Sequence, residues 1–141
     1  MAFEVKVTRT GGESCLKFNT PGEANQKTHA DAMDLCKGLG GRLYEPESQE
    51  QFDLMFGTWE DQRNKNSDAW LGVSLSNGGS QDNNDDWKYS TRPEEKVAFK
   101  PRWKGNSASG GNSCAYFQGN NGKWLNDLNC ESIANDFVCE F

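Results

Sequence analysis

Hydrophobic and polar positions change rhythm several times along this chain, and each change predicts an element. Phe3, Val5 and Val7 alternate with charged neighbours, the two-residue period of a half-exposed strand. Thr10-Gly11-Gly12 then marks a turn, and Cys15-Leu16-Lys17-Phe18 reads as the hairpin partner. Thr28 has the side chain of a helix cap, and Ala30, Met33, Leu35 and Cys36 follow it at helical spacing. Gly38-Leu39-Gly40-Gly41 ends that helix, after which Arg42-Leu43-Tyr44 turns the chain. Ser48 and Glu50 open a second helix whose apolar stripe is Phe52, Leu54, Met55, Phe56 and Trp59. From Ala69 onward the pattern is one of short strands: Trp70–Val73, Trp87–Tyr89, Cys114–Phe117, Lys123–Trp124 and Phe137–Cys139. Between them lie two polar stretches, Ser76–Asp86 and Lys104–Ser113. Helices first and strands later predict an α+β fold, in one domain spanning residues 1–141 with neither repeat nor linker. Loops of this length in a compact domain are functional or disordered.

Composition adds a need for covalent support. Only 34% of the 141 residues are hydrophobic, so the core is modest and much of the chain is turn and loop. Five cysteines can supply the missing stability in an oxidising compartment, as two bridges with one thiol left over. A zinc site is disfavoured because there is no Cys-x-x-Cys pair and His29 is the only histidine. The net charge of −6 argues against nucleic acid and anionic membrane as partners. No apolar run approaches membrane-spanning length. Met1–Val5 lacks the basic start and apolar stretch of a signal peptide, so secretion implies a signal removed ahead of this sequence.

Taken in order, several of these segments resemble the C-type lectin-like domain family. Ala32 and Cys36, with Gly40-Gly41-Arg42-Leu43, are similar to the family's first-helix segment, and Trp70-Leu71-Gly72-Val73 to its Trp-Ile-Gly-Leu core strand. Cys114, Trp124, Cys130 and Cys139-Glu140-Phe141 follow in the family's order. The resemblance covers nearly the whole chain. It implies two helices, two small antiparallel sheets, a long polar loop, and the disulfides Cys36–Cys139 and Cys114–Cys130. The cysteines alone would allow other connectivities. Cys15 stands where longer members carry half of an extra bridge; it is either a buried thiol or the link of a homodimer.

Sugar-binding members of the family hold calcium in the long loop, because that ion takes six to eight oxygen ligands and leaves places for sugar hydroxyls. Here Asn126 and Asp127 stand at the family's distance before Cys130. The family's Glu-Pro-Asn or Gln-Pro-Asp tripeptide is gone: the corresponding positions read Lys104-Gly105-Asn106 or Ser107-Ala108-Ser109, and Asn112 replaces a glutamate. Two carboxylates are lost and Lys104 adds an ammonium, so bound Ca2+ at this place would be weak. Asn126 and Asp127 then read first as residues that satisfy backbone groups in a turn, ahead of calcium ligands. An accessory calcium found in some members would fall on Glu45, Glu47, Glu50 and Glu140, which otherwise suit a helix N-terminus. Asp82, Asp85 and Asp86 lack the glycine and final glutamate of a calcium loop and read as solvated. Aromatic faces offer a route to sugars without metal. Of Trp59, Trp87, Trp103 and Tyr116, the exposed candidate is Trp103, next to Lys104.

Catalysis finds little support. His29 with Cys15 has no third group or oxyanion donor, and no phosphate-cradling glycine loop is present. The chain therefore reads as a secreted, extracellular lectin for glycans, such as microbial cell-wall polysaccharide in innate immunity. The alternative is a calcium-independent domain for a protein or a solid surface such as mineral or ice.

Overall fold

The computed structural model describes residues 3–9, 12–63, 67–76, 79, 83–103, 113–127, 130, 131 and 133–141. The chain opens with the hairpin of β1 (Phe3–Arg9) and β2 (Gly12–Phe18), whose register runs from Phe3 opposite Phe18 to Arg9 opposite Gly12. Helix α1 (His29–Gly38) starts where Thr28 Oγ1 accepts a hydrogen bond from the Asp31 amide, and Gly40 follows it at a φ of 92° that suits only glycine. Helix α2 (Gln49–Gln62) is capped in the same way, with Ser48 Oγ accepting from the Gln51 amide at 3.2 Å. Between the helices, Arg42 and Leu43 form a two-residue strand, β3, instead of a plain turn, because their backbone pairs with the C-terminal strand.

The remaining strands are β4 (Ala69–Leu75), β5 (Trp87–Tyr89), β6 (Arg92–Lys96), β7 (Cys114–Phe117), β8 (Trp124–Asp127) and β9 (Asp136–Glu140). Strand order is β1-β2-β9-β4-β5-β6, with β3 also on β9, β7 on β4 and β8 on β7. The two expected antiparallel sheets are thus joined at one seam. β9 pairs in parallel with β4 through Ala69–Asp136 and Trp70–Phe137. A strand buried at every position, as β9 is, can use both of its edges without exposing polar backbone.

The two ends of this path, β1 and β6, are both blunted. On β1, Gln51 of α2 donates from Nε2 to the Thr8 carbonyl at 2.8 Å. β6 reads Arg-Pro-Glu-Glu-Lys, with no apolar alternation to announce it, and its proline and charges suit an edge.

The larger core lies between α2 and the sheet and contains Trp59, Phe52, Trp87, Phe117 and Trp124. A smaller one under α1 contains Ala32, Leu43, Trp70 and Phe137. The stripe of α2 is narrower than its sequence suggests. Phe52, Met55 and Trp59 are buried, whereas Leu54 is 53% exposed because it lies on the opposite face. Gly72 is required by close approach, since a Cβ there would lie 2.7 Å from the Leu43 carbonyl oxygen. Both implied disulfides are present, Cys36–Cys139 tying α1 to β9 and Cys114–Cys130 closing the turn after β8.

Candidate functional site

Strands β7 and β8 position the first candidate region. Their register sets Cys114 opposite Asp127, Ala115 opposite Asn126, Tyr116 opposite Leu125 and Phe117 opposite Trp124. Alternation along β8 puts Asn126 on the same face as the buried Trp124, and Asn126 is only 4% exposed. Sugar cannot reach such a side chain without local opening. The backbone of Asp127 lies on β8; its side chain, with Lys104, Asn106, Asn112 and Asp82, lies outside the described residues.

The aromatic candidate is better defined. Arg102 and Trp103 run alongside the start of β8, with the Trp124 amide donating to the Arg102 carbonyl at 2.7 Å. The Trp103 ring lies 4.6 Å from that of Trp87 and 5.6 Å from that of Trp124. It is half-buried, so the expected free-standing ring is in fact one braced on two core tryptophans. Trp59 and Trp87 are fully buried, and Tyr116 packs edge-on against Trp70. Asn83, Asn84, Asp85 and Asp86 make a structured turn, in which Asn83 Oδ1 caps the Asp85 amide and Asp85 pairs with Lys96 at 3.1 Å.

The second region is the acidic corner. The structure brings Glu45, Glu47 and Glu140 together but leaves Glu50 exposed in the first turn of α2. Three guanidinium groups join them. Glu45, fully buried, forms an ion pair at Oε1 with Arg42 (3.1 Å), accepts there from Arg92 Nε (3.0 Å), and accepts at Oε2 from the Thr91 amide and hydroxyl. Glu140 accepts from Arg42 Nε at 3.0 Å and the Glu45 amide at 3.1 Å, and pairs with Arg9. Glu47 Oε2 meets Arg9 at 3.2 Å and Arg92 at 3.4 Å. Burial alone would lower the Arg92 pKa, but Glu45, Glu95 and Glu47 together outweigh it and raise the value. Tyr44, beside this network, is pushed far up by burial and by Glu140. Three arginines thus balance three glutamates, and a divalent cation would meet guanidinium where it needs free carboxylate oxygen. Among the described residues no group of three or more His, Cys, Asp or Glu side chains is arranged to hold a metal ion.

The donor sets therefore do not fit calcium at either place: the corner is already neutralised, and the loop has lost two of the family's carboxylates. The arginines were not found from the sequence because Arg9, Arg42 and Arg92 come from three distant strands or their ends. Nothing local links them.

His29 is buried, its Nε2–H donating to the Leu71 carbonyl at 2.9 Å and its ring edge-on to Trp70. Burial lowers its pKa to about 4, against the opposing effect of the Leu71 bond, so it is neutral near pH 7. Cys15 is half-buried in β2, outside both disulfides, with its backbone paired to Phe141.

Several solved structures share this arrangement. A GlcNAc complex of SPL-1 is 17% identical with a TM-score of 0.69, over 91% of this chain and 87% of that one. A Ca2+-independent C-type lectin, SPL-2 from Saxidomus purpuratus, is 16% identical with a TM-score of 0.69, over 91% and 86%. Human lithostathine is 22% identical with a TM-score of 0.68, over 91% and 91%. At these identities the likeness is one of fold. No curated protein sequence matches the chain. The model of the lectin C-type domain matches residues 25–141, and with the α+β fold and both disulfides in place, the chain belongs to the C-type lectin domain family, whose members are non-enzymatic binding domains.

Proposed function

We propose that this chain, read as one domain over residues 1–141, is a secreted lectin that binds microbial cell-wall glycans without calcium. The observation that carries the reading is the partly buried Trp103 ring, held against Trp87 and Trp124 beside the strand bearing Asn126 and Asp127. A braced aromatic face packs on sugar C–H groups with little loss of side-chain entropy. The arginine-filled acidic corner and the lost tripeptide support independence from calcium. One protein of the same fold is described as calcium-independent and another as a GlcNAc complex, so the fold accommodates both halves of the proposal.

A single shallow site binds weakly, and avidity on a polymer compensates. Pull-down on insoluble yeast and bacterial wall polysaccharides, in calcium and again in EDTA, tests the reading. Binding should survive EDTA, and Trp103→Ala should weaken it about tenfold, the scale of one lost aromatic contact. Loss of binding in EDTA would instead point to a metal at Asn126 and Asp127. No binding in either condition would favour a protein or solid surface as the ligand.

A further inference from the structure

Outside both regions, a groove crosses the molecule between α1 and the β5–β6 hairpin. One part, of about 430 Å3, is lined by Met33, Asp34, Lys37, Arg42, Leu43 and Thr91, among others. It shares Met33 and Ser90 with a second part of about 380 Å3 that reaches Ser74, Ser76, Lys88 and Pro93. Met33 and Ser90 border both parts, which therefore adjoin, and each is of ligand-pocket size.

The chemistry of the groove is graded along its length. In the middle, the hydroxyls of Ser74 and Ser90 lie 3.1 Å apart, next to the apolar side chain of Met33. Lys37 lines one part and Lys88 the other. Arg42 is already held by Glu45 and Glu140, and Lys96 by Asp85. Among the described residues, by contrast, no ion pair involves Lys37 or Lys88. Among the described residues, Asp34 is the one acidic residue lining these two parts. Two ammonium groups set apart by a hydroxyl-bearing floor complement a linear ligand that carries repeated anionic groups with hydroxyls between them. The chain as a whole carries a net charge of −6, so an acidic polymer is disfavoured overall, and the two ammonium groups of the groove offset that repulsion locally.

We propose that this groove binds a strand of acidic polysaccharide, Lys37 and Lys88 each meeting a carboxylate or sulfate while Ser74 and Ser90 bond sugar hydroxyls. The site goes beyond the Trp103 reading and uses none of its residues, so the two can fail separately.

The test is titration of the full chain with polygalacturonate, dextran sulfate and neutral dextran, followed in parallel by wall-polysaccharide pull-down. At least one acidic polymer should bind, neutral dextran should not, and the preferred acidic polymer identifies the anionic group. Lys37→Ala with Lys88→Ala should weaken that binding about tenfold and leave the pull-down unchanged. Lys6→Ala with Lys123→Ala removes the same charge outside the groove and should have little effect. The proposal is overturned if neither acidic polymer binds, if neutral dextran binds as well, or if the two double variants lose affinity equally. Unchanged thermal melting of both variants shows that they fold.

Discussion

His29 is the residue whose ionisation most directly links pH to the fold. Its ordinary pKa of 6.5 falls to about 4 in the folded chain through burial, so the unfolded chain takes up a proton that the folded one refuses. The His29 contribution to stability is therefore fully present above pH 6.5, is lost as pH drops toward 4, and changes no further below. The shift corresponds to about 3 kcal/mol over that window. Urea unfolding at several pH values should show this decline, and His29→Phe should flatten it. The same logic of burial makes Glu45 sensitive to substitution. Glu45→Gln removes the buried carboxylate that Arg42 and Arg92 share, leaving Arg42 with Glu140 and Arg92 with Glu47 and Glu95, and should cost about 2 kcal/mol in urea unfolding. His29 reads from sequence as a packed or surface residue and not a base, and the structure decides for packed. The partners of Glu45 were not, because ion pairing between Glu45 and Arg92 depends on how two strands and a loop meet.

At the scale of elements, the best-read parts were those with local signals. Thr28 and Ser48 cap their helices as their side chains predict, and the hairpin and the Trp70 strand lie where alternation and apolar content place them. The strands β3 and β6 escaped because their pairing is set by partners: Arg42-Leu43 by β9, and Arg92–Lys96 by β5. Gln51 shows how an element can protect another. Its side chain accepts from the Glu47 amide at 2.8 Å and donates to Thr8 of β1. Gln51→Ala removes both bonds, at about 1–2 kcal/mol. Hydrogen exchange should then show faster loss of the Glu47 amide proton, with the α2 interior still protected.

For the whole molecule, the two disulfides constrain loops of very different size. The bridged residues are 103 apart for Cys36–Cys139 and 16 apart for Cys114–Cys130. The loop-entropy model assigns about 4.7 and about 3 kcal/mol to loops of those lengths. Replacing Cys36 and Cys139 by alanine should thus lower the urea midpoint more than replacing Cys114 and Cys130. The acidic corner makes a separate prediction: with arginines supplying the positive charge, EDTA should leave the melting temperature unchanged. The ordered cysteines, the Trp-Leu-Gly-Val strand and the capped helices made the fold legible, because each is written in neighbouring residues or in a fixed chain order, and the family resemblance they carry implied both bridges. Only the tertiary structure decided that Trp103 is braced, that Asn126 is buried, that arginines fill the acidic corner and that Lys37 and Lys88 share a groove. Those facts depend on contacts between residues far apart in the chain, and contact at that range is decided by packing and not by local pattern.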